Sequence, residues 1–295
     1  MDKVLGSKKA YCVFVLPALI IYLLIVIVPI FISAYYSMLD WDGMGKASVV
    51  GLKNFVELFT ADGDGFMGSV LNSFILAAAS VVFQLPVALG LALVLARGIK
   101  GERFYRTAYF IPVVISTVVI GQLWLKIYNP DYGMLNTILK SIGLESLGTD
   151  WLGRSETALG ASFVPIVWQY VGYHMLLLYT AARSIPDDIY EAARIDGASE
   201  PATAFRITIP LISPMIKVSV TFCVTGSLKF FDLIWILTKG GPVHASEVPS
   251  TLMYTTIFHK SMYGYGSAIA VFIIAECLLF YWMIQKLFKT DDVTY

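Results

Sequence analysis

Charged and polar side chains lie at helical spacing inside long apolar stretches of this chain. Lys229 and Asp232 occupy one such stretch, and Thr221 and Thr225 precede them at intervals of about one turn. A charge at the centre of a bilayer costs about 2.5–3.5 kcal/mol on insertion scales, and pairing between Lys229 and Asp232 across three residues would offset part of that cost. Glu276, in another stretch, would face a partner subunit or a water-filled cavity. The pattern indicates either hydrogen bonding between packed helices or a path for a polar solute.

Two glycine-rich segments imitate nucleotide-binding motifs without the context that those motifs need. Residues 63–68 have the pattern G-x-G-x-x-G, but they lie in a polar loop, whereas a dinucleotide site needs a preceding strand and a following helix. Residues 43–48 resemble a phosphate-binding loop but lack its first Gly and the Ser or Thr after the Lys. We therefore predict that this chain binds no cofactor and does not hydrolyse ATP by itself.

Residue types that serve in catalysis or metal binding are also poorly placed for those tasks. None of the three histidines has a partner at i+4 that would make a metal pair, and each of the three cysteines lies alone in an apolar run. The sequence has no G-x-S-x-G motif and no evident pair of catalytic carboxylates. We predict no catalytic residue and no metal site, and we do not expect an enzyme.

The composition indicates a membrane protein. Of the 295 residues, 57% are hydrophobic and 14% are charged, whereas a soluble domain is typically about half apolar and about a quarter charged. The mean hydropathy is +0.72. The formal net charge of +0 gives no sign of a nucleic-acid partner, and none is expected.

Six apolar stretches are long enough to cross a bilayer, which requires roughly 20 residues. They are predicted at about residues 11–33, 71–96, 107–127, 158–181, 215–238 and 267–287. The first stretch is longer than the roughly 7–15-residue core of a signal peptide, so we expect it to be retained. No polar linker divides the chain. We predict an all-α, multi-pass protein of the cell (inner) membrane, with a single transmembrane domain over residues 1–295.

Lys and Arg predict which loops are cytoplasmic. They are concentrated before the first span, between the second and third, between the fourth and fifth, and after the sixth, and they are fewer in the other three loops. Short loops rich in these residues stay in the cytoplasm. Both termini are therefore predicted to be cytoplasmic, as is the segment between the fourth and fifth spans.

That cytoplasmic segment carries its own helix signals. Ser184 can cap a helix, Pro186 suits a first turn, and Asp187 favours the positive end of a helix dipole. Gly197 is a stop signal, and Ser199 opens a second short helix. A helix of about three turns is predicted between Pro186 and Gly197. Physical arguments alone leave open a simple connector, an amphipathic helix on the lipid surface and a docking site for a partner.

A resemblance to a known family decides between these alternatives. Residues 184–210 resemble the EAA loop that is the hallmark of ABC importer permeases. The residues that carry it are Glu191, Ala192, Ala193, Asp196, Gly197, Ala198 and, further on, Pro210. The family usually has Leu before this Pro, where the present chain has Ile209. Residues 231–242, 251–258 and 264–270 are similar to further segments of carbohydrate-type permeases, such as maltose, multiple-sugar and glycerol-phosphate permease subunits.

The resemblance implies a fold and a role for the cytoplasmic helix. It implies the type I ABC importer permease fold, with six transmembrane helices, cytoplasmic termini and a short coupling helix between helices 4 and 5. The coupling helix would dock into a groove of an ATPase subunit, where Glu191 would pair with a basic group. Gly197 would let the chain turn. The small side chains that would let the two surfaces approach are Ala192, Ala193 and Ala198.

The resemblance also implies an assembly. It would contain a second permease subunit, expected to be a different chain, two copies of a cytoplasmic ATPase and an external solute-binding protein. ATP and Mg²⁺ would bind to the ATPase and not to this chain. ATP binding would turn the pore from inward-open to outward-open, and the binding protein would then deliver a carbohydrate. Membrane lipid would surround the spans.

A candidate substrate path follows from the same resemblance. In maltose-permease relatives the sugar contacts come from the helix before the EAA loop and the helix after it. By position, the candidates are Gln169, Tyr170, Tyr173, Ser227, Lys229, Phe230 and Asp232. A weaker polar stripe on the second span contains Ser73, Ser80 and Gln84. Aromatic rings with amide and hydroxyl groups suit a sugar, whose faces are apolar and whose rim carries hydroxyls, although in some family pairs only one subunit holds the sugar.

The main alternative function is a secondary transporter or channel for a polar solute. It would explain the spans and the charges inside them without an ATPase. It does not explain the EAA segment, and most such transporters have more spans or inverted repeats. A membrane-embedded enzyme is a third hypothesis, which lacks a catalytic constellation.

Overall fold

Helices make up most of the described part of the chain in its computed structural model, which describes residues 11–60 and 65–288. In chain order, the elements are α1 (Val13–Tyr36), β1 (Leu39–Asp40), β2 (Ser48–Val49), α2 (Lys53–Thr60), α3 (Phe66–Ala96), α4 (Glu102–Val114), α5 (Thr117–Ile127), α6 (Met134–Ser141), α7 (Ser155–Arg183), α8 (Asp187–Ile195), α9 (Glu200–Thr203), α10 (Ser213–Leu228), α11 (Asp232–Leu237), α12 (Pro249–Phe258) and α13 (Tyr263–Leu287). Single π-helical turns interrupt α1 at Leu23–Ile27 and α3 at Ser80–Gln84. A short 3-10 turn lies at Glu145–Leu147, and helical turns follow α9 at Ala204–Thr208 and Ile209–Leu211.

Five helical segments in the described part of the chain are long and apolar enough to cross a membrane. They are α1, α3, α7, α10 together with α11, and α13. The bent pair of α4 and α5 makes a sixth candidate. The chain is therefore a multi-pass, all-helical membrane protein, as predicted. Both chain ends, on which the orientation prediction partly depends, lie outside the described residues, as do the first two residues of the 63–68 glycine motif.

The described residues pack as two units. The first contains the residues up to Thr60 together with Met253–Ile274, and the second contains Gly65–Leu252 together with the residues from Ala275 onward. In the first unit, β1 and β2 pair as an antiparallel hairpin. The side-chain amide of Asn54 donates to the backbone carbonyls of Ser37 and Leu39 at the start of this hairpin, both at 2.8 Å. The predicted single domain over residues 1–295 stays a prediction.

The third predicted span is not one straight helix, so the prediction for residues 107–127 is wrong in this respect. The axes of α4 and α5 meet at 95°. Ile115 and Ser116 between them have extended backbones, with ψ of 140° and 131°. Pro112 lies in the last turn of α4. Because proline has no N–H, it cannot donate a hydrogen bond to the preceding turn, and the helix is weakened just before the bend.

The fifth predicted span, over residues 215–238, is also interrupted. α10 ends at Leu228 and α11 begins at Asp232, because the backbone leaves helical geometry at Lys229 and Phe231. Among the ion pairs of the described residues, none joins Lys229 to Asp232. The predicted pairing is therefore wrong, since it relied on the i, i+3 geometry of a continuous helix.

The core of the second unit joins α3 and α7 to the segment between α7 and α10. Small residues of α3, Ala88 and Ala92, are fully buried against the C-terminal half of α7, where Met175 is also fully buried. Ile185 and Ile212, which flank the segment between α7 and α10, belong to the same core. The apolar packing of the membrane-spanning helices therefore extends directly beneath α8.

Candidate functional site

The ends of α8 are fixed by local bonds. At its C-terminus the N–H of Ala198 donates to the carbonyl of Ala193 at 2.9 Å, and the N–H of Gly197 donates to the carbonyl of Arg194 at 3.1 Å. This is a Schellman motif, and it needs the left-handed backbone of Gly197, whose φ is +77°. The predicted stop is confirmed.

The predicted start of α8 is wrong at one residue. Ser184 does not cap α8 but closes the end of α7, where its hydroxyl donates to the carbonyl of Ala181 at 2.7 Å. Pro186 is extended, with ψ of 139°, and occupies the N-cap position of α8. A residue before proline is driven out of helical geometry, so the two helices are separated here. The second short helix is confirmed, because the hydroxyl of Ser199 accepts the N–H of Ala202 at the start of α9.

The residues of the EAA-like segment divide between two faces of α8. Ala193 is only 5% exposed and is turned into the chain's own core. It was expected to face a partner, and that expectation is wrong because Ile189 and Tyr190, on the same face, pack against the core beneath. The exposed members are Glu191, Ala192, Asp196 and Gly197, and Ala198 is half-buried.

Two large apolar side chains stand exposed in the same segment. Ile195, in the last turn of α8, is 86% exposed, and Phe205, just after α9, is 71% exposed. Exposed apolar groups rimmed by charged residues are typical of surfaces that bind another protein. The sequence argument did not predict that Ile195 is exposed. Its position, two residues before Gly197 and on a different face of the helix from Ile189, could have indicated this.

A cavity of about 420 Å³ opens in the second unit. Its lining includes six of the seven predicted path residues, namely Tyr170, Tyr173, Ser227, Lys229, Phe230 and Asp232. Gln169 does not line it and is 2% exposed, and its Oε1 has no hydrogen-bond partner among the described residues. The position-based prediction therefore named six of the residues that line this cavity.

Aromatic pairs shape the walls of the cavity. The rings of Tyr170 and Phe230 meet edge to face, with centroids 6.2 Å apart. The rings of Tyr173 and Phe222 are tilted, with centroids 6.5 Å apart. The pair with Phe222 joins α7 to α10, and the pair with Phe230 joins α7 to the residues just after α10. Phe222 was not predicted, although it also lines the cavity.

Polar groups complete the lining. The hydroxyl of Ser227 donates to Ser80 at 3.2 Å, and the amide of Gln84 donates to the sulfur of Cys223 at 3.9 Å. Ser80 and Gln84 come from the weaker stripe of α3, so this stripe does reach the cavity. Lys229 and Asp232 are exposed. One cation, one anion, hydroxyls and aromatic faces suit a neutral polar ligand.

The break between α10 and α11 lies at the cavity. Lys229, Phe230 and Phe231, the residues between the two helices, all contribute to its wall. Interrupted membrane helices commonly supply substrate sites, because non-helical backbone is tolerated at membrane depth only where it lines a cavity or is buried in protein. Among residues 11–60 and 65–288, no three His, Cys, Asp or Glu side chains are grouped so as to hold a metal ion.

These features are those of a multi-pass membrane protein with a cavity among its helices and an exposed helix between two of its candidate spans. Residues 10–289 match the family described as "binding-protein-dependent transport system inner membrane component", and the chain belongs to this family. Its members are permease components of ABC transporters, in which a separate subunit hydrolyses ATP.

Several relatives are similar over most of their length. The probable ABC transporter permease protein YurN of Bacillus subtilis is 41% identical over 280 residues, which cover 94% of this chain and 95% of that protein. The trehalose/maltose transport system permease protein MalF of Thermococcus litoralis is 32% identical, with 95% and 96% covered. The diacetylchitobiose uptake system permease protein NgcF of Streptomyces coelicolor is 31% identical, with 89% and 77% covered.

Solved structures share the fold. A chain of a bacterial alginate ABC transporter, crystallised with an alginate pentasaccharide-bound periplasmic protein, superposes with a TM-score of 0.83. The two chains are 24% identical, and 95% of this chain and 94% of the other are covered.

Proposed function

We propose that this chain is the permease subunit through which an ATP-driven importer moves a carbohydrate into the cytoplasm. The observation that carries the proposal is the cavity at the break between α10 and α11, with its two aromatic pairs and its hydroxyl and amide groups. Sugar rings have apolar faces and hydroxyl rims, so they match such a lining. The names of the relatives support a sugar, since they include permeases for trehalose/maltose and for diacetylchitobiose.

The exposed face of α8 transmits the movement of the ATPase. Glu191 is exposed on this face and pairs with a basic group of the ATPase, while Ile195 and Phe205 supply apolar contact. Gly197 shapes the end of the helix. Around them, Ala192 and Ala198 have small side chains and Asp196 has a polar one, so that the ATPase can approach this surface closely. Since the opposite face of α8 is packed on the core of α3 and α7, displacement of α8 moves these helices.

The assembly follows from the proposed function. In this proposal the chain crosses the inner membrane six times, with the bent pair of α4 and α5 counted as one span, and both termini and α8 lie in the cytoplasm. A second permease subunit, which we propose to be a different chain, completes the pore. Two ATPase subunits bind ATP and Mg²⁺ on the cytoplasmic side, and an external solute-binding protein delivers the carbohydrate.

Uptake by the reconstituted assembly tests the proposal. The chain, its second permease, its ATPase and its binding protein are placed in liposomes, and the uptake of radiolabelled mono-, di- and trisaccharides is measured with and without ATP. We expect saccharide uptake that requires both ATP and the binding protein. Uptake that needs only an ion gradient would support a secondary transporter instead, and ATP-driven uptake of a solute other than a carbohydrate would overturn the proposed substrate.

A further inference from the structure

Three side chains form a polar cluster where the start of α4 meets the end of α7. Tyr179 is 7% exposed, and its hydroxyl accepts a hydrogen bond from the guanidinium of Arg106 at 2.8 Å while it donates one to the carboxylate of Glu102. The guanidinium also lies over the Tyr179 ring, with its central carbon 4.8 Å from the ring centroid, and its Nη1 is 3.5 Å from the carboxylate. One hydroxyl of α7 therefore bridges a cation and an anion of α4. These three residues form the tyrosine cluster.

The cluster fixes how α4 lies along α7. Glu102, Arg106 and Tyr109 follow one another at intervals of four and three residues, so they share one face of α4. Gly172 and Tyr179, two turns apart, share one face of α7. An added Cβ at Gly172 would lie 1.9 Å from the carbonyl oxygen of Tyr109. The two helices therefore run antiparallel and touch both at this glycine and, two turns further along α7, at the cluster.

The ring of Tyr179 belongs to the core on which α8 rests. Ile189 and Tyr190 of α8 pack against this core. Apolar contacts have no preferred direction and tolerate small shifts, whereas a hydrogen bond weakens steeply when its angle or distance changes. The hydroxyl of Tyr179 is thus the group that holds α4 in register with the part of α7 that contacts α8.

At its other end, the bent pair of α4 and α5 reaches the cavity. Ile120 of α5 is buried in one core with Leu233 and Ile234 of α11. An added Cβ at Gly121 would lie 2.4 Å from Cγ2 of Ile236, so α5 and α11 are in close contact. The first residue of α11 and the three residues before it line the cavity. α4 and α5 together therefore connect the tyrosine cluster to one wall of the cavity.

We propose that the Tyr179 hydroxyl is a positioning group for transport, which makes α4 follow α7 when α8 moves and so carries that movement to the cavity wall. The inference rests on the proposed function, since the cluster has this role only if an ATPase moves α8. Arg106 and Glu102 act by holding the hydroxyl from two sides. Without the hydroxyl the apolar packing stays, but α4 loses its fixed register on α7, and ATP hydrolysis is no longer fully converted into movement of the cavity wall.

The test removes single hydroxyls. Tyr179→Phe keeps the ring in the core and the cation over its face, and it loses only the two hydrogen bonds. Tyr128→Phe is the matched control, because Tyr128 is 4% exposed and its hydroxyl donates at 2.9 Å to the carbonyl of Ala161, about 27 Å from Tyr179 along α7. Each variant is reconstituted with its partner subunits, and ATP hydrolysis is measured together with the uptake of glucose, maltose and maltotriose.

The expected result is a loss of coupling without a loss of docking. Tyr179→Phe should lower the number of saccharide molecules taken up per ATP by roughly threefold to tenfold, as expected for a change within a coupled contact network. The concentration of saccharide-loaded binding protein that gives half-maximal hydrolysis should stay unchanged. Tyr128→Phe should keep the uptake per ATP of the unchanged chain, although both variants should lower the thermal midpoint to a similar extent, since each loses a buried hydroxyl.

A second pair of variants separates the hydrogen bond from the ion pair. Glu102→Gln removes the charge but keeps an acceptor for the Tyr179 hydroxyl, so it should retain the uptake per ATP of the unchanged chain. Glu102→Ala removes both and should lower the uptake per ATP as Tyr179→Phe does. Equal uptake per ATP in the two Glu102 variants would overturn the role of the hydrogen bond.

The inference and the proposed function fail in different ways. An uptake per ATP that is unchanged in Tyr179→Phe, or lowered equally in Tyr179→Phe and Tyr128→Phe, overturns the role of the cluster and leaves the proposed function in place. An unmodified assembly that takes up none of the three saccharides in the presence of ATP contradicts the proposed function, a result that does not depend on Tyr179.

Discussion

The exposed helix α8 and the cavity differ in how far apart in sequence the residues that support them lie. α8 is held at its ends by bonds between neighbours, such as the Schellman bonds at Gly197. The cavity is closed by side chains from α3, α4, α7, α10 and α11, which are separated by up to about 150 residues along the chain. A local element of this kind can change its exposed surface without changing the fold, whereas the cavity depends on the packing of every helix around it.

The comparison predicts that damage to helix packing has the largest effect. Gly172→Val places a branched side chain against the backbone of α4, where even a Cβ would lie 1.9 Å from the carbonyl oxygen of Tyr109. Overpacking of this kind costs about 1–3 kcal/mol or more. We expect a large loss of monodisperse protein and a lower thermal midpoint in detergent. Gly160→Val on the same helix is the control, because an added Cβ there meets nothing within 4 Å, and equal yields for both variants would contradict the close packing of α4 on α7.

The next effect concerns the aromatic wall. Phe230→Ala removes the edge-to-face partner of Tyr170 and one face of the proposed sugar site. We expect saccharide uptake to fall by roughly tenfold, since an aromatic pair contributes about 0.5–1.5 kcal/mol beyond area burial. Phe83→Ala is the control, because Phe83 is 64% exposed and lies outside the cavity. Equal uptake by the two variants would remove Phe230 from the substrate path.

A smaller effect is expected at Gly197, where backbone strain can be distinguished from a loss of coupling to the ATPase. Gly197 and Gly143 have nearly the same left-handed φ, 77° and 79°, and an added Cβ meets nothing within 4 Å at either position. Gly197→Ala and Gly143→Ala should each destabilise the chain by about 1–2 kcal/mol. Only Gly197→Ala should also lower substrate-stimulated ATP hydrolysis in the assembly. Similar hydrolysis by the two variants would show that the end of α8 has no special role in coupling.

The smallest effect is expected at a surface ion pair. Arg97, at the end of α3, pairs with Glu200 of α9, and both side chains are substantially exposed. Exposed pairs contribute about 0–1 kcal/mol. A double-mutant cycle of Arg97→Ala and Glu200→Ala should give a coupling energy in this range that decreases with added salt. A coupling energy well above it would mean that the pair is a major link between α3 and the segment between α7 and α10.

The sequence predicted local features better than distant ones, for a physical reason. Gly197 and Ser199 act on residues within five positions of themselves, so helix-capping rules located α9 and the end of α8. The bend at Ile115 and the break at Lys229 were missed, because hydropathy averages over a window and does not detect a change of backbone direction. The burial of Ala193 was missed as well, since it depends on the core formed by α3 and α7.

For the cavity, the sequence predicted part of the lining and missed the rest. Tyr170, Tyr173 and Phe230, which the resemblance pointed to by position, all line the cavity, and their role in a substrate path stays a prediction. Phe222 and Gly226 were not assigned. The place of Phe222 in the wall depends on a side chain from another helix, since Phe222 contacts Tyr173 of α7.

Coupling through α8 is most directly tested at Glu191. The assembly is purified with Glu191→Lys in this chain, and both ATPase retention and substrate-stimulated ATP hydrolysis are measured. Glu156→Lys is the matched control, an exposed acid at the start of α7. We expect Glu191→Lys to release the ATPase or to abolish the stimulation by substrate, while Glu156→Lys behaves like the unchanged chain. Full retention and stimulation with Glu191→Lys would contradict the role of α8 as the link to the ATPase.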